Sequence, residues 1–244
     1  MNKSSLYLSA LLLLSHPAVC QPKEILVAFG ASLPPWVLED GSGGILVDML
    51  NTCLRPSGYE LQPKLLPYAR RIFAYEADQV DIVTDVNEKL ISERGLQGYY
   101  SGDLYSYENF LMSLSTRGLH ITKVEDISQY SLLSWQGAIE KIGGAYAEMA
   151  QNNKQYKETH NQKTQLRMLF RHRVDFIQLD GNIFEYYRQE MIADGEISKD
   201  IGVDKFPLFG KNTNGFLFKS KSVRDACVAN LAAAKSALSG SEHP

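Results

Sequence analysis

Strand-like and helix-like stretches alternate through residues 25–83, and this alternation restricts the chain to few folds. Residues 25–29 form a short run of β-forming side chains, and residues 45–54 repeat apolar side chains at helical spacing. Residues 60–66 alternate as a strand does, 68–77 are helical in pattern, and 80–83 are again strand-like. The order β, α, β, α, β predicts an open α/β sheet of parallel strands joined by right-handed crossovers.

In such a sheet, ligands bind beyond the carboxyl ends of the strands. The segments expected there are residues 31–36 and 84–87. Pro34 and Pro35 restrict the backbone just before Trp36, so this aromatic side chain is well placed to form a wall of a ligand site. A core position for Trp36 fits the same pattern.

The helical stretch 68–77 has its own pattern of apolar residues. Four of them recur at helical spacing and predict the buried face of this helix: Ala69, Ile72, Phe73 and Ala77. Arg70 and Arg71 fall elsewhere on the helix.

A second series of strand and helix patterns follows the first. Strand patterns cover residues 110–114, 131–135, 174–179 and 214–219, and helical patterns cover 139–152, 165–172, 180–191 and 223–238. Two α/β lobes are therefore predicted, and the turn-prone residues 210–214 are expected to carry the chain back from the second lobe to the first.

The N-terminus has the layout of a secretory signal peptide over residues 1–20. Lys3 precedes an apolar run at 6–14, and Ala18 and Cys20 occupy the two small-residue positions of a cleavage site. The run is too short for a membrane span, and no later segment resembles one, so export to the periplasm is expected. A lipid anchor at Cys20 is the alternative, although Val19 is bulky for it.

Two cysteines remain once residues 1–20 are removed. Cys53 and Cys227 form an even count in an oxidising compartment, where a disulfide persists. Two buried, unbonded cysteines explain the pattern equally well. The formal net charge of -3, without a basic run, argues against a nucleic-acid surface.

Several polar residues lie where strands and helices meet. Arg94 can clamp a carboxylate with two parallel hydrogen bonds, although a solvated surface arginine fits the same spacing. Asp180 follows a strand and can accept from a ligand ammonium group, or it can cap the next helix. The amides of Gly137 and Ala138 open a helix and can face an anion. No enzyme, phosphate-loop or metal-site motif is present, so neither a cofactor nor a metal is expected.

In their order and spacing, a series of short motifs resembles the extracellular solute-binding proteins of family 3, the periplasmic type that binds polar amino acids. The matching motifs are Pro34-Pro35-Trp36, Gly44 with Asp48, Pro67-Tyr68-Ala69-Arg70, Val80-Asp81-Ile82, Glu93-Arg94, Tyr105, Gln136-Gly137, Val174-Asp175 with Asp180, and Asn214-Gly215-Phe216. The resemblance spans residues 25–240. It implies a two-lobe clamp with two hinge strands, lobe I at 21–115 plus 213–244 and lobe II at 116–212.

The resemblance also implies roles for individual residues. A ligand α-carboxylate would meet Arg94 and the amides at Gly137 and Ala138, the ammonium group would meet Asp180, and Trp36 would cover the ligand side chain. The remaining residues assigned to the site are Arg70, Asp85, Asn87 and Tyr105. Hinge closure would bury the ligand, because a ligand that contacts both lobes binds the closed state more tightly.

Two positions depart from the family pattern. Asp85 stands where the family has small residues that hold the carboxylate, and Leu46 replaces an acid. Asp85 would repel a ligand carboxylate, so either it neutralises Arg94 in the empty site or the ligand presents a cation or hydroxyl there.

The expected function is therefore that of a periplasmic binding protein for a small polar or zwitterionic solute. It would act as a monomer and deliver its ligand to an ABC-type transporter. The alternatives are a dehydratase of the cyclohexadienyl type on the same fold, with Asp85 or Glu88 as a general acid, and a ligand-sensing partner of a membrane receptor.

Overall fold

The structure is a computed structural model that describes residues 22–31 and 33–240. The predicted signal peptide and the alternative anchor at Cys20 lie outside the described residues. The strands, in chain order, are β1 Lys23–Gly30, β2 Tyr59–Leu66, β3 Ile82–Val86, β4 Tyr99–Tyr100, β5 Tyr105–Leu114, β6 Leu132–Trp135, β7 Tyr156–Thr159, β8 Phe176–Asp180, β9 Val203–Phe206 and β10 Lys211–Phe218. The helices are α1 Ile45–Leu54, α2 Tyr68–Glu76, α3 Glu88–Arg94, α4 Ala138–Ile142, α5 Gly144–Asn152, α6 Gln162–Phe170, α7 Gly181–Ala193 and α8 Lys221–Gly240.

Within the described residues the strands follow one continuous order, β2-β1-β3-β10-β5-β8-β6-β7, with β4 beside β10 and β9 beside β5. Strands β1, β2 and β3 are parallel, as predicted, and so are β6, β7 and β8. The sheet therefore consists of two parallel groups, each flanked by its own helices.

Two antiparallel strands connect the two groups. β10 pairs with β3 on one side and with β5 on the other, and β5 pairs in turn with β8. The β5–β10 ladder runs from the Lys211–Glu108 pair to the Asn214–Tyr105 pair. The mixed α/β, two-lobe architecture predicted from the sequence is confirmed, while lobe boundaries at residues 115 and 213 stay a prediction.

Local chemistry explains where several helices begin and end. Asn87 caps α3 by accepting from the Leu90 amide at 2.9 Å, and Asn161 caps α6 through the Thr164 amide at 3.1 Å. Gly143, at φ 66°, separates α4 from α5, because this left-handed backbone suits glycine and interrupts a helix.

Four sequence predictions differ from the structure. The predicted single helix at 139–152 is two helices, broken at Gly143. Arg94 ends helix α3 and does not lie in a turn. Asn87 caps the start of this helix, which was not predicted because its sequence is short and mostly polar. Residues 211–214 belong to β10, where the β5 ladder overrides their turn preference. Finally, strands β7 and β9 were missed, since each is only four residues long and none of these residues is fully buried.

The buried face predicted for helix α2 is correct for Ile72 but wrong for Ala69, Phe73 and Ala77, which are exposed. Phe73 is 63% exposed, whereas Arg71 is 5% exposed and Tyr75 is 1% exposed. The helix turns Arg71 inward because Asp85 supplies a buried counter-charge, a tertiary contact that apolar periodicity does not encode.

A disulfide joins Cys53 of α1 to Cys227 of α8, with 4.4 Å between the two Cα atoms. Both cysteines are fully buried in the core between the sheet and these helices. Across residues 22–31 and 33–240, no helix is long and apolar enough to cross a membrane.

Candidate functional site between the two halves

A cavity of about 420 Å³ lies at the carboxyl ends of the parallel strands, where the two halves of the molecule face each other. This is the edge at which open α/β sheets bind ligands. One half contributes Gly30 at the end of β1, the start of α2, and Asp85 of β3. The other contributes the ends of β6, β7 and β8 and the starts of α6 and α7. The connecting strands supply Tyr107, Asn109, Asn212 and Asn214.

Side-chain contacts between described residues hold the halves together around this cavity. Their partners, with the first-named residue donating, are Trp36 Nε1 with Asp180 Oδ1 at 2.9 Å, Lys141 Nζ with the Asp85 carbonyl at 3.2 Å, Arg94 Nη2 with Glu140 Oε1 at 2.9 Å, and Tyr187 Oη with Glu39 Oε1 at 3.2 Å. The structure is therefore that of a clamp closed around its cavity.

A buried ion pair forms part of the cavity wall. Arg71 Nη1 and Asp85 Oδ2 form a salt bridge, with both side chains under one-tenth exposed. Tyr107 Oη and Tyr105 Oη donate to Asp85 Oδ1 at 2.6 and 2.9 Å. Burial alone would raise the pKa of Asp85, but Arg71 and the two tyrosine hydroxyls hold that pKa below its usual value. Asp85 is therefore a carboxylate inside the cavity wall.

The backbone of Asp85 supports a functional reading of this pair. Its φ of 59° is in the left-handed region, which costs energy for a residue other than glycine. The Asp85 amide donates to Tyr105 Oη at 2.8 Å, which helps to hold this conformation. Such backbone outliers cluster at ligand sites, where the surroundings impose them.

Tyr68 and Lys141 lie next to the ion pair, from opposite halves of the molecule. The Lys141 ammonium lies 4.7 Å from the centroid of the Tyr68 ring, and the Arg71 guanidinium carbon lies 5.4 Å from the same centroid. Burial lowers the pKa of Lys141 to about 8, because the charged form loses its water. Burial also raises the pKa of Tyr68 to about 12, so its hydroxyl stays neutral.

Five side chains of the cavity wall carry a buried polar atom with no hydrogen-bond partner within residues 22–31 and 33–240. The atoms are Tyr68 Oη, Arg71 Nε, Trp135 Nε1, Gln162 Oε1 and Asn214 Oδ1. Buried polar atoms are nearly always hydrogen-bonded, since leaving one unpaired costs about 1–3 kcal/mol. Their concentration around one cavity marks it as a site for a polar ligand.

Asp180 caps helix α7, which is one of the two roles considered from the sequence. It also lies in the cavity wall, the position that the other role, accepting from a ligand ammonium group, requires. Its Oδ1 accepts from the amides of Asn182 and Ile183 at 3.0 and 3.2 Å, as well as from Trp36 Nε1. Among the described residues, its Oδ2 accepts from the Glu108 amide alone, at 2.9 Å. One acceptor position on Oδ2 therefore remains for a ligand.

Trp36 does not line the cavity itself. It is 6% exposed and packs edge-on against Tyr107, with 4.8 Å between the ring centroids. Its indole N–H reaches Asp180 in the other half, so Trp36 bridges the cleft behind the cavity wall.

The groups predicted to hold a ligand carboxylate lie outside the cavity lining. Arg94 is about half exposed and pairs with Glu140. The amides of Gly137 and Ile139 donate to the Glu158 carboxylate at 2.9 and 3.3 Å, so this helix start already has a protein anion. A ligand carboxylate at either place would have to displace a protein carboxylate. The ligand roles predicted for these groups stay predictions.

The other residues assigned from the sequence occupy varied positions. Tyr105 is buried behind the cavity, bonded to Asp85. Arg70 is exposed, Asn87 is the cap of α3, and Ala138 is buried at the start of α4. None of these four lines the cavity, whereas Asp85 and Asp180 do.

Sequence reasoning missed Arg71, Tyr68, Lys141, Gln162 and Asn214 as cavity residues. A detectable feature exists for the first two, because residues 67–71 follow β2, whose carboxyl end lies at the same edge as those of β1 and β3. For Lys141 and Gln162 the position depends on how the two halves meet, which no local pattern contains.

Comparisons with known proteins agree with this geometry. No family model and no curated protein sequence matches the chain. Among solved structures, an ancestral arginine-binding protein bound to arginine matches with a TM-score of 0.69 at 16% identity, over 88% of this chain and 94% of that one. The chain has the fold of the two-lobe periplasmic binding proteins.

Other structures with this fold are also binding proteins. Holo ArgBP from T. maritima matches with a TM-score of 0.64 at 16% identity, over 87% of this chain and 90% of that one. The amino acid ABC transporter substrate-binding protein AbpA from Streptococcus pneumoniae, bound to L-arginine, matches with a TM-score of 0.65 at 15% identity, over 88% and 90%. Ligand sites in proteins often lie at the interface between domains, and the cavity described above lies between the two halves.

Proposed function

We propose that the chain is a solute-binding protein that captures a small polar or zwitterionic ligand in the cavity between its halves. The observation that carries this proposal is the group of five unpartnered polar atoms around one cavity of about 420 Å³. A ligand that supplies their missing hydrogen bonds recovers the free energy of desolvating them. A cavity of this volume suits a small solute and excludes a polymer.

Capture works by closure of the two halves on strands β5 and β10. Cavity residues come from both halves, so a bound ligand contacts both only when the cleft is closed. A ligand shifts a conformational equilibrium by the difference of its affinities for the two states, and here that difference favours closure. The contacts of Trp36 and Lys141 across the cleft add to the stability of the closed state.

The proposal extends to the setting of the protein. Export through the signal peptide at 1–20 would place a monomeric binding protein in the periplasm. Delivery of the captured ligand to an ABC-type permease follows from the fold it shares with the transporter protein AbpA. The permease would recognise the closed form, which is the form that differs most from an empty clamp.

Neither of the two acidic residues that suggested a dehydratase is suited to act as a general acid in this cavity. Asp85 is ion-paired and its pKa is held low, whereas a general acid needs a raised pKa. Glu88 is exposed in the first turn of α3 and does not line the cavity. We therefore propose no second function.

Thermal-shift screening of the purified mature chain tests the proposal. The panel contains amino acids, amines, polyamines and organic acids. A ligand at 100 times its dissociation constant adds about 2.7 kcal/mol to the stability, which raises the melting temperature by a few degrees. Stabilisation by a compound that mass spectrometry recovers unchanged is expected. Turnover of a compound, or no stabilisation across the panel, contradicts the proposal.

A further inference from the structure

Arg71 has the charge and geometry to clamp a ligand carboxylate, but the protein already supplies one. The guanidinium forms a salt bridge to Asp85 and reaches Thr84 Oγ1 at 3.3 Å. The same carboxylate is held by the hydroxyls of Tyr105 and Tyr107, so it is fixed in place and cannot swing aside at low cost. Displacing it would leave a buried charge without its partner, which is strongly destabilising.

The other anion-binding groups at the cleft are occupied in the same way. Arg94 pairs with Glu140, and the amides of Gly137 and Ile139 pair with Glu158. Among the described residues, Arg71 and the two groups predicted to receive a ligand carboxylate therefore each hold a carboxylate of the protein. Carboxylates of the protein therefore already occupy the anion-binding groups of the cleft.

A second carboxylate of the cavity wall, that of Asp180, has no positively charged partner among the described residues. Asp180 is 3% exposed and forms no ion pair with any described residue, and its Oδ2 has an acceptor position free. Gln162 Oε1 and Asn214 Oδ1 are unpartnered acceptors in the same cavity wall. Each of these acceptors requires an N–H or O–H donor, which a ligand ammonium group supplies.

Among the described residues that line the cavity, Lys141 is the lysine, and its ammonium group is directed at the backbone of Asp85 in β3. Its ammonium donates to the Asp85 carbonyl and lies over the Tyr68 ring. Trp36 and Tyr107 pack against each other and connect the two carboxylates, because the first bonds to Asp180 and the second to Asp85.

We propose that Asp85 takes the place of a ligand carboxylate at Arg71, so that the cavity selects small organic amines without a carboxylate over the corresponding amino acids. This inference rests on the proposed solute-binding function and narrows its ligand class. Asp85 is then a specificity-determining residue. Its negative charge repels a ligand carboxylate and neutralises Arg71, the arginine that lines the cavity within the described part of the chain.

Matched pairs of compounds that differ only in the carboxylate test the inference. The pairs are arginine with agmatine, ornithine with putrescine, lysine with cadaverine, and histidine with histamine, each titrated by calorimetry into the mature chain. At least one amine is expected to bind ten-fold or more tightly than its amino acid. If amino acids bind as tightly as their amines, the inference is overturned while the solute-binding function stands. If no compound of the panel binds, both the inference and the proposed solute-binding function are overturned.

Three variants test which residues cause the selectivity for amines over amino acids. Asp85→Asn frees Arg71, so we expect affinity for the amino acid of a pair to rise at least ten-fold relative to its amine. The double variant Arg71→Gln, Asp85→Asn removes both charges and should lack this gain. Glu140→Gln is the matched control, because it frees Arg94 outside the cavity and should leave the ratio unchanged.

A poorly folded Asp85→Asn does not remove the test, since the wild-type pairs and the double variant remain. Amino-acid affinity gained equally by the double variant would overturn the assignment to Arg71. A gain in Glu140→Gln would instead place carboxylate binding at Arg94, and that result also overturns it.

Discussion

At the scale of residues, the site is defined by polar atoms whose partners are missing or internal. Asp180 and Asp85 were predicted from strand ends, since β8 and β3 deliver them to the edge where ligands bind. Arg71 was not, because the helical pattern of α2 assigned Phe73 to the core and turned Arg71 away from it. A buried ion pair reverses that face, and its two partners are 14 residues apart on separate elements. Periodicity analysis detects only the spacing of apolar residues, so it could not predict this ion pair.

The unpartnered amide oxygen of Gln162 gives a prediction at this scale. Gln162→Met should weaken binding of the ligand found in the screen by about five- to twenty-fold, because one hydrogen bond to a buried group is lost. The empty protein should melt at the same or a higher temperature, since an unpaired buried polar atom has been removed. Calorimetry and thermal unfolding measure the two effects.

Ser113→Ala is the matched control for Gln162→Met. Ser113 Oγ is also buried without a partner among the described residues, but it does not line the cavity. Its removal should leave ligand affinity unchanged. Equal loss of affinity in both variants would contradict the assignment of the cavity as the ligand site.

Lys141 gives a prediction in pH. Its pKa is lowered by burial from 10.5 to about 8, so between these values the unfolded chain binds more protons than the folded one. Stability due to this group therefore rises as pH increases through that window, because the folded state no longer buries an ammonium charge. Asp85, Arg71 and Glu140 also act on this charge.

The measurement compares wild type with Lys141→Met by thermal unfolding from pH 7 to pH 10. Titration of the other groups cancels in the difference. The stability of the wild type relative to the variant should rise steadily above pH 8. A difference that does not change with pH would show that Lys141 is not desolvated.

At the scale of elements, the parallel strands and their crossover helices were predictable because each carries its own pattern. Helix α1 occupies the predicted residues 45–54. The connecting strands were less predictable. β10 begins three residues earlier than its apolar pattern, since residues 211–213 are polar and owe their strand form to pairing with β5. Strand β7 is at an edge of the sheet, so few of its residues are buried.

The disulfide between α1 and α8 gives a prediction at the scale of elements. It closes a separation of 174 residues, which in the chain-entropy account stabilises the fold by about 5 kcal/mol. The variant Cys53→Ala, Cys227→Ala should therefore unfold at a much lower urea concentration than the oxidised wild type. Fully reduced wild type should behave like the variant.

Urea unfolding with and without reductant measures this effect, and the double variant is its own control because reductant should not affect it. If complete reduction leaves the wild-type midpoint unchanged, the bond does not contribute to stability. The contacts of α1 with α8 would then be sufficient to hold the helices together.

At the scale of the whole molecule, two halves of similar design close on a cavity that neither forms alone. The closed arrangement is held by cross-cleft contacts that include Trp36 with Asp180 and Lys141 with Asp85. Each is one or two hydrogen bonds, so together they leave closure dependent on what fills the cavity. A clamp that stays closed when empty would not admit a ligand. A clamp without these cross-cleft contacts would release its ligand quickly.

The most direct test of this account is a titration of intrinsic tryptophan fluorescence. The chain has two tryptophans, and both are at the cleft: Trp135 lines the cavity and Trp36 bridges it. Ligands that raise the melting temperature should produce a saturable change in emission with 1:1 stoichiometry, and Trp135→Phe should lose most of it. A stabilising ligand that leaves the emission of both tryptophans unchanged would contradict the account, because it would bind away from the cleft.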